Sequence, residues 1–169
     1  MIDINNIVFR ASSIGDLMGV KGLGKTGEKL SRYNYLQYKY GRSQDFNSKY
    51  TDKGTLVEPY SIELLSKIDN IEKKKNEVRM YNENFTGECD ILVPKVKVID
   101  IKNAWDLFTF NDYLASHNID NEYQVRVYMD LYKVPQAELV YMLNDAPEEL
   151  ILKAVEKESY NHKDRETPD

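Results

Sequence analysis

Gly87-Glu88-Cys89-Asp90-Ile91-Leu92-Val93-Pro94-Lys95-Val96-Lys97-Val98-Ile99-Asp100-Ile101-Lys102 reads as two β-strands joined by a tight turn. The apolar runs Ile91-Leu92-Val93 and Val96 to Ile101 flank Pro94-Lys95, a turn signal between strand signals. Side chains alternate faces along a strand, so Asp100 and Lys102 point one way while Ile99 and Ile101 point into a core. A turn centred near residue 95 sets Asp90 roughly opposite Asp100. Like charges directly opposed destabilise a sheet. A cation held between the two aspartates removes that penalty. The other reading is a surface trio of Asp90, Asp100 and Lys102. Cys89 faces away from Asp90 and reads as a core residue.

Outward from the hairpin, the pattern is helices, a meander of strands, then helix, strand and helix. Ile7-Val8-Phe9 is a short strand or entry segment. Ser12 or Ser13 reads as the N-cap of a short helix through Ile14, Leu17 and Met18. Residues 19–27 form a Gly- and Lys-rich loop, 28–40 a tyrosine-rich helix, and 41–50 a polar loop. Thr51 or Asp52 can cap a helix to about Lys67, with Leu56, Tyr60, Leu64 and Leu65 at core spacing. Ile71 to Tyr81 holds one or two strands. Trp105 to Leu114 and Ile119 to Tyr132 are helical, Ala137 to Leu143 is a strand, and Pro147 opens a last helix to about Glu158. Residues 161–169 read as a frayed tail. The expected fold class is α/β (α+β): one small central mixed sheet flanked by helices, in a single domain. Within it, residues 1–53 form a basic helical part, 54–145 the core, and 146–169 a C-terminal helix and tail.

Three further features converge on the hairpin. Glu58 lies on the preceding helix in Gly54-Thr55-Leu56-Val57-Glu58-Pro59. Gln124 and Tyr128 are four apart on the following helix and share a face. Ser12 opens the first helix. Asp90 followed by Asp100-Ile101-Lys102 resembles the motif of the PD-(D/E)XK nuclease superfamily. Gly87-Glu88-Cys89-Asp90 and Gln124-Val125-Arg126-Val127-Tyr128 resemble its RecB-like branch. Arg10-Ala11-Ser12 with Ile14-Gly15, and the Gly54 to Glu58 helix, look most like phage lambda-type exonucleases (YqaJ-type viral recombinases). The resemblance spans roughly residues 10–145. Asp-x-Lys alone is weak; five elements in order are specific.

That resemblance implies a restriction-endonuclease-like core and a Mg2+-dependent DNA nuclease, with Mn2+ able to substitute. Asp90, Asp100 and the Ile101 carbonyl would ligate the metal, with Glu58 completing the shell through water. Lys102 would hold the attacking water or stabilise the phosphate. Gln124 would orient a water or phosphate, with Tyr128 behind it. Ser12, Lys25, Arg32, Arg42 and Tyr128 are the expected DNA-binding residues. The resemblance also implies 5′→3′ action on double-stranded DNA ends for recombination, a homo-oligomer, and a single-strand annealing protein as partner. Two departures stand out. Asp100 occupies a position that is commonly Glu in the family. The upstream arginine that lambda-type enzymes use on a 5′-phosphate has no secure match, leaving Arg10, Arg32 and Arg42 as candidates.

The bulk numbers agree with a globular protein: 169 residues, 41% hydrophobic and 30% charged. No basic start followed by an apolar run marks a signal peptide. No stretch approaches the ~18 apolar residues of a membrane helix. The single cysteine excludes a disulfide framework and a four-cysteine metal site, and a reducing cytoplasm is the expected compartment. The net charge of −5 hides an asymmetry: residues 10–53 carry nine Lys/Arg against four Asp/Glu, and residues 54–169 carry fourteen against twenty-three. A basic face for a polyanion beside an acidic, cation-binding face fits that distribution, as does a chance asymmetry of solvated surfaces. Tyr33, Tyr35, Tyr38 and Tyr40 with Arg32, Lys39 and Arg42 could stack on DNA or simply pack with wet tips. His117 and His162 have no partner at metal spacing.

Gly19-Val20-Lys21-Gly22-Leu23-Gly24-Lys25-Thr26 matches the phosphate-binding pattern G-x-x-x-x-G-K-[ST] letter for letter. A working P-loop follows a buried strand and opens a helix. Residues 12–18 read as a capped helix instead, so a basic loop that touches DNA phosphates is favoured and ATP binding stays a minor rival. The rival functions are an endonuclease or repair nuclease on the same fold, and a catalytically silent module that binds DNA or protein.

Overall fold

The computed structural model describes residues 7–19, 22–42, 49–116, 118–145, 147–149, 151–152 and 155–156, with 49–52 described through the backbone only. The quoted hairpin is β4 (Ile91–Val93) and β5 (Lys97–Asn103), paired antiparallel with Ile91 against Ile99 and Val93 against Lys97. Its loop is Pro94-Lys95-Val96, closed by the Val96 N–H donating to the Val93 carbonyl at 3.0 Å. Lys95, just after Pro94 in that turn, takes a left-handed φ of 65°, the sign a type II turn requires there.

β6 (Gln136–Met142) pairs parallel with β5, so β5 is the middle strand of a three-stranded sheet. A middle strand covered on both sides is buried on both faces. Val98 packs with Val125, Tyr128, Leu131 and Val134 on one face. Ile99 and Ile101 pack with Ile62, Leu65, Ile91 and Met142 on the other. The first face belongs to α5 (Ile119–Tyr132), the second to α3 (Lys49–Asp69). The expected single sheet is two: β1 (Phe9–Arg10), β3 (Phe85–Gly87) and β2 (Met80–Tyr81) form a second mixed sheet in the order β1-β3-β2. α5 packs against both sheets and joins them.

Several boundaries differ from the sequence expectation. α2 runs from Lys25 to Tyr40, three residues earlier than its tyrosines indicate. α3 begins at Lys49 rather than after residue 51. Of residues 71–81 only Met80–Tyr81 is strand, and β3 was not foreseen because Phe85-Thr86-Gly87 is too short to show a period. The cap position before α1 (Ile14–Leu17) falls on Ser13, whose hydroxyl donates to the Arg10 carbonyl and caps nothing; Ser12 sits exposed in the preceding 3-10 turn. α4 (Leu107–Ala115) is capped by the Asp106 carboxylate, which accepts from the Thr109 N–H at 2.8 Å. Cys89 is buried as expected. His117, His162 and the tail lie outside the described residues.

The rotation of α3 is the largest correction. Its buried face is Lys53, Val57, Ser61, Ile62 and Leu65, while Tyr60 and Leu64 are exposed. Two of those inward positions are polar and hydrogen-bonded. Lys53 Nζ donates to the carbonyls of Ala104 and Trp105 at 3.1 and 2.7 Å, and Ser61 Oγ to Asn103 Oδ1 at 2.7 Å. Of the four expected core positions, Leu65 is buried and Leu56 half-buried, while Tyr60 and Leu64 face out.

Candidate active site

An open cleft of about 390 Å³ lies where β5, α3 and α5 meet. Gly54, Thr55 and Glu58 line it from α3, Asp100, Ile101, Lys102 and Asn103 from β5, and Gln124 and Tyr128 from α5, with Asp90 ahead of β4 and Tyr113 on α4. The hairpin register carries Asp90 to the position facing Asp100. Asp90 Oδ2 accepts the Ile101 N–H at 2.5 Å. The Ile101 side chain packs toward α3, so its main chain is what it presents here. Lys102 Nζ sits 2.8 Å from Asp100 Oδ2 and donates to Gln124 Oε1 at 2.9 Å. Gln124 Nε2 is shared between Asp100 Oδ1 at 3.3 Å and the Tyr128 hydroxyl at 2.9 Å. Gln124 thus reads a carboxylate with one end of its amide and an ammonium with the other.

The electrostatics are those of carboxylates short of positive charge. Burial, then the Asp100 charge, push the Asp90 carboxyl up to about 7, against the Ile101 N–H and Lys102. Burial also raises the Asp100 carboxyl, with Lys102 pulling the other way. Asp100 Oδ2 is buried and, despite the ammonium nearby, receives no well-directed hydrogen bond. A buried oxygen with a free lone pair, a facing carboxylate and adjacent main chain suit a hard divalent cation. Magnesium commonly uses one or two carboxylates and keeps several waters. Among the described residues no three His, Cys, Asp or Glu side chains stand together at ligating distance. Glu58 is instead held by Lys75 Nζ at 3.0 Å.

No known family profile and no curated protein matches the chain. Solved structures do. The crystal structure of a phage-related exonuclease from Haemophilus somnus 129PT superposes with a TM-score of 0.75 at 28% identity, over 88% of this chain and 74% of that one. In fold the chain is similar to the lambda-type exonucleases. An alkaline exonuclease from Laribacter hongkongensis shares the fold at TM-score 0.69 and 17% identity, over 86% of this chain and 74% of that one. The same enzyme in complex with dAMP gives TM-score 0.69 at 16% identity over the same shares.

Of the site residues expected for a lambda-type relative, Glu58, Asp90, Asp100, Ile101, Lys102 and Gln124 all line this one cleft. Tyr128 is buried and meets both the cleft and a smaller pocket only as lining. It is 5% exposed, packs with Ala11, Cys89 and Val98, and holds Gln124 from behind. Burial raises its hydroxyl well above the usual phenol range. Ser12 lies apart from the main cleft, in a pocket of about 100 Å³ with Arg10, Arg79, Thr86, Gly87 and Glu88. Tyr128 forms the wall between the two. Lys25, Arg32 and Arg42 are exposed on or beside α2 and line neither. On α2, Lys39 lies over the rings of Tyr35 and Tyr40, and Lys29 over Tyr33. The P-loop-like stretch does open a helix at Lys25, but α1 precedes it where a strand is required.

Sequence reasoning missed four side chains. Asn103 and Tyr113 line the cleft, Lys75 holds Glu58, and Arg79 pairs with Glu88 at 3.3 Å in the small pocket. Lys75 and Arg79 belong to a segment without regular structure, so no period places them. The charge run Lys73-Lys74-Lys75 was the available signal.

Proposed function

We propose that this protein is a divalent-metal-dependent deoxyribonuclease, a phage-type exonuclease that digests duplex DNA from its 5′ ends. The observation that carries the reading is the hydrogen-bonded set Asp100, Lys102 and Gln124 facing Asp90 in one cleft. Asp90, Asp100 and the Ile101 main chain would hold Mg2+ or Mn2+, which would supply Lewis-acid polarisation of the phosphate and a hydroxide source near neutral pH. Lys102, fixed between Asp100 and Gln124, orients the attacking water or steadies charge on the phosphate. Gln124 keeps that ammonium in place, and Tyr128 keeps Gln124 in place. Glu58, lining the same cleft, would add a further carboxylate toward that cation.

The small pocket supports the 5′ polarity. Arg10, Ser12, the unpartnered buried hydroxyl of Thr86 and Arg79, which is paired with Glu88 at 3.3 Å, line a space of about 100 Å³. A terminal phosphate there, across Tyr128 from the aspartates, would set the first phosphodiester in the cleft. Action for recombination beside a single-strand annealing protein, in a homo-oligomer in the host cytoplasm, completes the proposal.

The test uses linear and covalently closed circular duplex DNA, each with Mg2+ and with chelator. Digestion of the linear form alone, abolished by chelator, is expected. Cutting of the circle makes the protein an endonuclease, and binding of either form without cutting makes it a silent DNA-binding module.

A further inference from the structure

We propose that Lys75 exchanges partners at the cleft: it holds Glu58 in the metal-free protein and a substrate phosphate once a divalent cation draws on Glu58, an inference that rests on the metal-dependent reading above.

Lys75 is on a segment with no helix or strand, yet its position is fixed. Next to it, Asn76 is buried; its N–H donates to the Asp90 carbonyl at 2.7 Å, and its Nδ2 to the Cys89 carbonyl at 3.0 Å and the Tyr132 hydroxyl at 2.9 Å. On the other side, the Lys73 N–H donates to Ser66 Oγ at 3.0 Å. These bonds tie residue 75 to the main chain of Asp90, one of the two facing aspartates. From there its ammonium reaches Glu58, with the lysine side chain 47% exposed and the Glu58 side chain 18% exposed. The cation therefore stands on the solvent side of the pair and the carboxylate on the cleft side.

Charge counting gives the exchange its direction. Three carboxylates, Glu58, Asp90 and Asp100, line the cleft against two ammonium groups, Lys102 within it and Lys75 on the outer side of Glu58. Lys102 is committed to Asp100 and Gln124. A divalent cation turns the surplus negative charge into a surplus positive one, which a phosphodiester balances. Glu58 cannot serve both cations at full strength, so Lys75 competes with the metal until a phosphate gives its ammonium another partner. Metal loading and DNA binding are coupled through one side chain.

The experiment compares Lys75→Met, Lys75→Arg and Lys74→Met with wild type. Lys74 is a matched control: it carries the same charge one residue away, but its partner is the exposed Glu72 at 3.5 Å. Mg2+ binding without DNA is read by calorimetry, duplex binding in Ca2+ by fluorescence anisotropy, and turnover as separate kcat and KM. Lys75→Met is expected to bind Mg2+ about fivefold more tightly, because one competing positive charge is gone. It should bind duplex DNA about tenfold more weakly and raise KM with little change in kcat. Lys75→Arg should restore both affinities, and Lys74→Met should match wild type. Equal Mg2+ affinity in Lys75→Met and Lys74→Met overturns the exchange, as does equal DNA affinity in the two. Asp90→Asn separates the two levels. If it binds Mg2+ as wild type does, the metal reading fails and this proposal with it. If it loses Mg2+ while Lys75→Met behaves like Lys74→Met, only the exchange fails.

Discussion

Lys102 on β5 donates to Gln124 Oε1 on α5 at 2.9 Å, a bond that crosses from sheet to helix at the centre of the cleft. A flexible lysine becomes a positioned one through this contact, because its other partner, Asp100, is on the same strand. Gln124→Ala frees the ammonium and leaves Asp100 Oδ1 and the Tyr128 hydroxyl without their shared donor. A misplacement of about 1 Å can lower a rate ~100-fold. Steady-state kinetics should show a loss of that order in kcat with KM much less affected. A Gln124→Ala enzyme with wild-type kcat would remove Gln124 from the machinery.

Asp100→Ala and Lys102→Ala should each abolish cleavage of linear duplex while leaving the protein folded by circular dichroism. Asp100 is buried but unfavourably so, and Lys102 is partly exposed, so neither supports the core. Wild-type cutting by either variant would show that the chemistry happens elsewhere.

The aspartate pair makes the metal-free protein pH-sensitive. Asp90 is raised from an ordinary carboxyl value to about 7 in the fold, so the folded state binds its proton more tightly than the unfolded state. Its contribution is fully present below about pH 4 and is lost as pH rises through 7. Urea midpoints of chelator-treated protein, corrected by the Asp90→Asn variant, should therefore fall between pH 5 and pH 8. Asp90→Asn should be the more stable protein at pH 8, with the difference shrinking at pH 5. A wild type as stable as Asp90→Asn at pH 8 would contradict the strained-carboxylate account.

Gly87 is required by proximity. A Cβ there would stand 2.6 Å from Tyr128 Cε1 and 2.9 Å from the Ala11 Cβ. Gly87→Ala should destabilise by about 1–3 kcal/mol. It should also lower kcat, since a displaced Tyr128 releases Gln124. Unchanged thermal stability would mean the two sheets and α5 are less tightly fitted at this point.

The small pocket predicts a preference for phosphorylated ends. Thr86→Val keeps the shape and removes a buried hydroxyl that has no hydrogen-bond partner, so stability should hold or rise slightly. The same change, and Arg79→Ala, should narrow the rate ratio between 5′-phosphate and 5′-hydroxyl duplex ends. An undiminished ratio in both variants would place end recognition outside this pocket.

Much of the site was legible before any coordinates. The alternation from Ile99 to Lys102 places two polar groups on one face, and the i, i+4 spacing of Gln124 and Tyr128 places two more on a helix. Both are local rules, and the structure keeps both. Tyr128 kept two readings, because a tyrosine at helical spacing serves equally as a DNA contact or as packing behind Gln124, and only burial separates these. α3 was only partly oriented because Lys53 and Ser61 face inward on hydrogen bonds to residues 42 to 52 positions away.

Local periodicity and chemical character, which act between near neighbours in the chain, were enough to specify the β4–β5 turn, the facing of Asp90 and Asp100, and the length of α5. The division into two sheets, the pairing of Lys75 with Glu58, and the meeting of Arg10 with Arg79 depended on the tertiary structure. Each joins residues that are distant in sequence, and their contacts are settled by which surfaces bury together.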